Sequence, residues 1–200
     1  MLDGFLHPVI APPLDRVARW LAALGVSADT LTWTGFVIGL AALPAIGTEH
    51  YGLGLILVLV NRLIDGLDGA VARQTSPTDR GAYLDIVCDF VFYSAVGFGF
   101  AVARPMNAIA GAFLIFSFVG TGSSFLAFAA VAAKRSLTTT SRGAKSIYYL
   151  GGLTEGTETI LAFVVFCLAP ASFPVGASIF GALCWVTTAS RIASGVRAFS

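Results

Sequence analysis

Residues 61–90 read NRLIDGLDGAVARQTSPTDRGAYLDIVCDF, and the rest of the chain is organised around them. The stretch holds Asp65, Asp68, Asp85 and Asp89, four of the eleven acidic residues in a chain of 200. Asp65 and Asp68 stand three apart, and Asp85 and Asp89 four apart. On helices each spacing puts both carboxylates on one face, about a turn apart. Between the pairs sit Gly69, Arg73, Pro77 and Gly81, a break that lets one helix end and another begin. Two helices that each turn a carboxylate pair toward the other enclose a cage of hard oxygens. Such a cage suits a divalent cation, and two ions fit the count of ligands.

The setting of these acids is apolar. Hydrophobic residues make up 56% of the chain and charged residues 12%, against roughly a quarter charged in a soluble domain. The composition therefore predicts an all-α integral membrane protein. A net charge of +1 without a long basic run argues against nucleic acid as a partner. Cys88, Cys167 and Cys184 lie in apolar stretches at no metal-ligand spacing and read as small buried hydrophobes. No basic region followed by an apolar run and a cleavage site opens the chain, so no removable signal peptide is expected.

Apolar stretches long enough to span a bilayer, at roughly 20 residues each, fall near 30–48, 52–73, 81–103, 106–133, 147–169 and 174–197. Their short connections predict a six-helix bundle of antiparallel neighbours in a single membrane domain covering 1–200. Glu155 and Glu158 interrupt the fifth stretch. Residues 1–28 are too polar to span, and Pro8, Pro12 and Pro13 are expected to delay any helix. Beyond them Leu14, Val17, Ala18, Leu21 and Leu24 recur at helical spacing, with Asp15, Arg16 and Arg19 opposite. That pattern fits an interfacial amphipathic helix with Trp20 at headgroup level, or a helix packed on the bundle.

Positive charges set the expected orientation. Arg16, Arg19, Arg73, Arg80, Lys134, Arg135, Arg142, Lys145 and Arg197 fall on one side, and Arg104 alone on the other. Both termini and the aspartate loop are therefore expected at the cytoplasmic face.

Intramembrane charges cost a few kcal/mol each by insertion scales and face a cavity or one another. Magnesium relieves the repulsion among four carboxylates and pairs readily with substrate phosphates, and two such ions can clamp a phosphoryl displacement. By 100° steps Gly69 and Ala72 project to within about 40° of Asp65. With Gly81 they would leave an opening through which a nucleotide could approach, and Arg73 is placed to pair with a phosphate. The bland reading, packing or proton-relay aspartates, does not explain two pairs flanking one turn.

At these residues the chain resembles a known family. Asp65-x2-Asp68-Gly69-x2-Ala72-Arg73, then Gly81-x3-Asp85-x3-Asp89, is similar to the signature of the CDP-alcohol phosphotransferases. At finer grain the chain looks like the short bacterial branch grouped with phosphatidylglycerophosphate synthases. Upstream, Ala28-Asp29-Thr30-Leu31-Thr32 departs from the Pro-Asn-x-x-Thr that relatives often carry, while keeping Thr32. The resemblance implies transfer of a phosphatidyl group from CDP-diacylglycerol to an alcohol with release of CMP, in the bacterial inner membrane. It implies Mg²⁺ or Mn²⁺, two ions, held by Asp65, Asp68 and Asp85, with Asp89 completing the site. Asp85 and Asp89 become the catalytic pair, Asp89 the general base. Gly69, Ala72, Arg73, Gly81, Asp65 and Thr32 become the CDP-binding set.

The acceptor is less visible. Lys134, Arg135, Arg142 and Lys145 mark either topology and lipid attraction or an acceptor-phosphate site, Lys145 being nearest the mouth of the fifth stretch. Arg191 is a second candidate, since an arginine at that depth has a partner. Glu155 and Glu158 share a face and could meet acceptor hydroxyls or an amine, or pair with Arg62 or Arg191. Arg62 reads as a counter-ion to Asp65. Glycerol 3-phosphate is the expected acceptor, with a lipid alcohol, an inositol-type or an amino alcohol as alternatives. Gly120, Gly122, Ser123 and Ser124 permit close helix approach or a homodimer seam. The rival from another class is a cation transporter, whose site would lie nearer midplane with polar residues continuing to the far face.

Overall fold

Thr78 and Pro77 divide the two helices that carry the aspartates, and the rest of the bundle closes round that division. The computed structural model describes residues 3–135 and 152–200, and among the described residues it is helical with no strand. The helices are α1 (Asp3–Ala23), α2 (Ala28–Leu40), α3 (Ala42–Gly47), α4 (Tyr51–Gln74), α5 (Asp79–Ala103), α6 (Ala108–Lys134), α7 (Gly156–Leu168) and α8 (Phe173–Phe199). Ser27 caps α2 by accepting from Thr30 N–H at 3.2 Å, and Thr78 caps α5 by accepting from Gly81 N–H at 3.0 Å.

Among the described residues, four stretches are long and apolar enough to cross a membrane: Ala28–Gly47, Asp79–Ala103, Pro105–Lys134 and Pro170–Phe199. Helix α4 has the length, 24 residues, but Arg62, Asp65 and Asp68 lower its hydropathy. Helix α7 has 13 residues. Glu155 and Glu158 do not interrupt it: Glu155 is its N-cap, and the two glutamates form a capping box, Glu158 accepting from Glu155 N–H at 3.1 Å. The stretch expected from 147 onward lies partly outside the described residues.

At the N-terminus the expectation of a delayed helix fails, because α1 runs through Pro8, Pro12 and Pro13. Each proline removes a backbone donor, but packing holds the following turns: Leu14, Ala18 and Leu21 sit against Ala70 and Val71 of α4. Val17, Trp20 and Leu24 face outward. The helix is thus seated on the bundle by one stripe and presents a second apolar stripe to its surroundings.

Between helices in lipid, association rests on close contact more than on water exclusion. A Cβ on Gly39 would lie 2.7 Å from Asn61 Nδ2 and 2.8 Å from Phe92, so α2 can settle between α4 and α5. Gly120 and Gly122 do the same for α6, meeting Thr188 and Trp185 of α8 and Phe90 of α5. These small residues are used within the chain. The core beyond them is aromatic: Phe100 stacks on Phe173 at 4.5 Å and meets Phe166 edge-on at 5.9 Å. Of the phenylalanines in α6, Phe118 and Phe128 are buried and Phe116 is exposed beside Trp185. The three cysteines are buried free thiols, as read from their surroundings. At the end of the bundle away from the aspartates, Glu49 closes the turn before α4 with φ 62° and is held by Arg104, whose guanidinium also lies 6.0 Å from the Tyr51 ring.

Candidate active site

Helix α4 contributes Asp65 and Asp68 and helix α5 contributes Asp85 and Asp89, each pair on one helical face. The carboxylate oxygens of Asp65, Asp68 and Asp85 come within 4.8 Å of one another. Asp68 is buried, Asp65 half-buried and Asp85 exposed, so the group opens to one side. Three like charges at this separation repel, and an all-oxygen donor set of this spread fits a hard divalent cation. Thr32, from α2, donates its hydroxyl to Asp68 Oδ2 at 2.6 Å and so fixes that carboxylate.

Asp89 lies outside this group of three. Its Oδ1 accepts from Arg62 Nη2 at 2.6 Å and its Oδ2 from the Tyr93 hydroxyl at 3.1 Å. The same Arg62 nitrogen reaches Asp65 Oδ1 at 3.3 Å. Arg62 is therefore the counter-ion to Asp65 that the sequence suggests, and to Asp89 as well. Tyr93 escaped the sequence reading, although it stands four residues beyond Asp89 on one helical face.

Two cavities meet at the aspartates. One, of about 530 Å³, lies between the N-terminal ends of α2 and α5 and the loop after α4, and is lined by Asp29, Thr32, Asp68, Gly69, Gly81 and Asp85 among others. The other, of about 560 Å³, runs deeper between α5, α6, α7 and α8, past Asp89, Tyr93, Thr121, Thr154, Glu155 and Arg191. Gly69, Ala72, Pro77, Ala82 and Asp85 line both. A Cβ at Gly69 would meet only Arg73 Nη1, at 3.6 Å, so the absent side chain leaves open space at the junction. Arg73 pairs with Asp15 and Arg80 with Asp29, each at 3.3 Å and partly exposed. Such surface pairs contribute little and exchange readily.

Arg191 is buried in the wall of the deeper cavity, donating to the Thr121 carbonyl at 3.0 Å with Phe125 under its guanidinium at 5.6 Å. Glu155, in the same wall, also accepts from Gly152 N–H at 3.1 Å. The threonines of this cavity are Thr121 on α6, Thr154 just before α7 and Thr159 on α7; Thr121, an isolated hydroxyl on an apolar helix, carries no spacing signal in the sequence. Arg142 and Lys145 lie outside the described residues.

Comparison with known proteins agrees with this geometry. A sequence model of the family "CDP-alcohol phosphatidyltransferase" matches residues 25–192. Inner membrane protein YnjF of Escherichia coli is 56% identical over 196 residues, 98% of this chain and 95% of the relative. An archaetidylinositol phosphate synthase of Pyrococcus horikoshii is 34% identical over 98 residues, 48% of this chain and 52% of that protein. The fold is shared with a phosphatidylinositol phosphate synthase of Mycobacterium tuberculosis solved with CDP-DAG bound (TM-score 0.72, 22% identity, 91% of this chain and 92% of that one). The same enzyme solved with manganese and citrate superposes with a TM-score of 0.71 at 23% identity, covering 91% and 88%. A family match that runs through every helix bearing one of the four aspartates, joined to a near-full-length relative, leads to one conclusion: this chain belongs to the CDP-alcohol phosphatidyltransferase family of phospholipid-synthesising membrane enzymes.

Proposed function

We propose that the enzyme moves the phosphatidyl group of CDP-diacylglycerol to glycerol 3-phosphate and releases CMP. The observation that carries this reading is the meeting of Asp65, Asp68 and Asp85 beside two cavities, with Asp85 in the wall that both share and Asp68 in the wall of one. A donor and an acceptor can approach that wall from opposite sides. In this reading Asp65, Asp68 and Asp85 hold Mg²⁺ or Mn²⁺, two ions, with Asp89 at the edge of the site. Bound there, the cations would neutralise the pyrophosphate and stabilise the departing CMP.

The chain's own residues do the rest. Gly69, Ala72 and Gly81 leave room for the nucleotide, Thr32 steadies Asp68, and Arg73 exchanges Asp15 for a phosphate oxygen. Asp89 takes the proton of the acceptor hydroxyl, whose oxygen bonds to the phosphatidyl phosphorus. The bond from that phosphorus to the CMP oxygen breaks, and CMP leaves with the electron pair. Arg191 supports a phosphorylated acceptor, with Arg142 and Lys145 assigned the same task. Glu155 and Glu158 are assigned to its hydroxyls beyond their part in capping α7.

The proposal extends to the whole chain. Residues 1–200 form one membrane domain of the bacterial inner membrane, with 1–28 interfacial and six crossings within 30–197. Helices α4 and α7 are the crossings added to the four apolar stretches, and both termini are cytoplasmic. Arg104 and Glu49, at the end opposite the aspartates, fit the single-arginine outer side.

Purified protein given CDP-diacylglycerol, Mg²⁺ or Mn²⁺ and a panel of acceptors tests the proposal. Metal-dependent CMP release with glycerol 3-phosphate is expected. The Pyrococcus relative's name favours an inositol phosphate as the second acceptor to try. No CMP release with any acceptor, together with cation flux in vesicles, would mean a transporter.

A further inference from the structure

Beside the metal-facing aspartates lies a part-buried group of charges. Arg62 projects from α4 with one nitrogen against two carboxylates, Asp89 Oδ1 at 2.6 Å and Asp65 Oδ1 at 3.3 Å. Its Nε donates to Asn61 Oδ1 at 2.9 Å. Its guanidinium lies 5.0 Å from the Phe92 ring and 5.5 Å from that of Tyr93, both on α5. The head group is thus held by hydrogen bonds in its plane and by rings beside it, and a guanidinium fixed in this way has little freedom left to lose. Tyr93 completes the frame, since its hydroxyl donates to the second oxygen of Asp89 at 3.1 Å.

We infer that Arg62 and Tyr93 are positioning residues for Asp89, fixing its distance from Asp65 and its orientation toward the acceptor. This rests on the reading of Asp89 as the group that receives the acceptor's proton. Without a bridging cation, Asp65 on α4 and Asp89 on α5 would repel one another and the helices would part at this level. One nitrogen shared by both carboxylates sets their separation instead. An ionised carboxylate has about four acceptor sites, so the two contacts orient Asp89 and leave a lone pair on each oxygen. Asp89 lines the deeper cavity, so an acceptor there can reach it. Neither Arg62 nor Tyr93 belongs to the motif that marks the aspartates, and neither touches the reacting atoms in this account.

Two conservative variants test the inference, with kcat, both KM values and Mn²⁺ binding measured on the purified full-length enzyme. Tyr93→Phe removes the hydrogen bond to Asp89 and the one the hydroxyl accepts from Arg62 Nη1 at 3.3 Å, and keeps the ring. Arg62→Lys keeps the charge but cannot serve both carboxylates and Asn61 at once. Each is expected to lower kcat about tenfold while both KM values stay within about twofold of the parent; in Tyr93→Phe, which touches none of the metal-fitting carboxylates, the Mn²⁺ titration followed by thermal shift also stays within about twofold. Arg62→Met, by contrast, should lose most of the folded protein, and lysine should restore it. Parent-like kcat in Tyr93→Phe and Arg62→Lys overturns the inference, as does a kcat loss in Tyr93→Phe matched by weakened Mn²⁺ binding. Should Arg62→Lys fail to fold, Tyr93→Phe decides alone. A parent enzyme that releases no CMP would instead strike the proposed function itself, a result separable from parent turnover with unaffected variants.

Discussion

The Thr32 hydroxyl donates to Asp68 across 2.6 Å, tying α2 to α4 at the one buried carboxylate of the metal-fitting group. Outer partners of this kind set the orientation of a ligand, and losing one weakens metal affinity about 10- to 100-fold. Thr32→Val should therefore raise the Mn²⁺ concentration needed for half-maximal thermal stabilisation by about tenfold, while Thr32→Ser stays near the parent. Equal titration curves for all three proteins would show that the hydroxyl does not serve the metal.

Gly69 separates fold from function. A Cβ there meets nothing but Arg73, and replacing a helical glycine removes an entropic cost of about 0.5–1 kcal/mol. Gly69→Leu should match or exceed the parent in thermal stability. It should also raise KM for CDP-diacylglycerol more than about tenfold by filling the junction between the cavities. A stable variant with normal KM would remove this junction from the donor's path.

Glu155 has two assignments that a pair of substitutions can divide. Glutamine can still accept the capping hydrogen bonds, so Glu155→Gln should keep the unfolding midpoint yet raise KM for the acceptor severalfold. Glu155→Ala should do both, costing about 1 kcal/mol of stability. Parent-like acceptor KM in the glutamine variant would confine Glu155 to the helix end.

Away from the site, Glu49 gives a pH test. Its carboxyl lies below the ordinary glutamate value of 4.5, first because Arg104 hydrogen-bonds to it. A depressed folded-state value means the stabilisation is present above the unfolded value and is lost as pH falls through the folded one. Thermal unfolding of the parent and Glu49→Gln should differ slightly at pH 7 and at low salt, and converge as pH falls through the folded-state value of Glu49. A constant difference across that range would place the effect in the turn rather than in the ion pair.

Much of this was readable from residues 61–90, because buried charge is costly enough that four carboxylates at helical spacing have few innocent explanations. The helix breaks were equally plain, since Pro77, Pro105 and Pro170 act locally. The course of α1 was not: proline rules describe a helix alone, and here contacts to Ala70 and Val71, some fifty residues away, carry it. Nor could the sequence tell that Glu155 and Glu158 begin a helix rather than interrupt one, since a cap is recognised only once the helix start is known. Arg62 was paired with Asp65 from spacing, but its shorter contact with Asp89 depends on how α4 meets α5. Spacing within a helix was legible; facing between helices was not.

The most direct test is to locate the metal. Crystals grown with Mn²⁺ and CMP, with data collected at the manganese absorption edge, should show anomalous density among Asp65, Asp68 and Asp85, with the nucleotide on the side of Thr32 and Gly81. Manganese bound elsewhere, or these three carboxylates turned away from one another around an empty gap, would contradict the account at its centre.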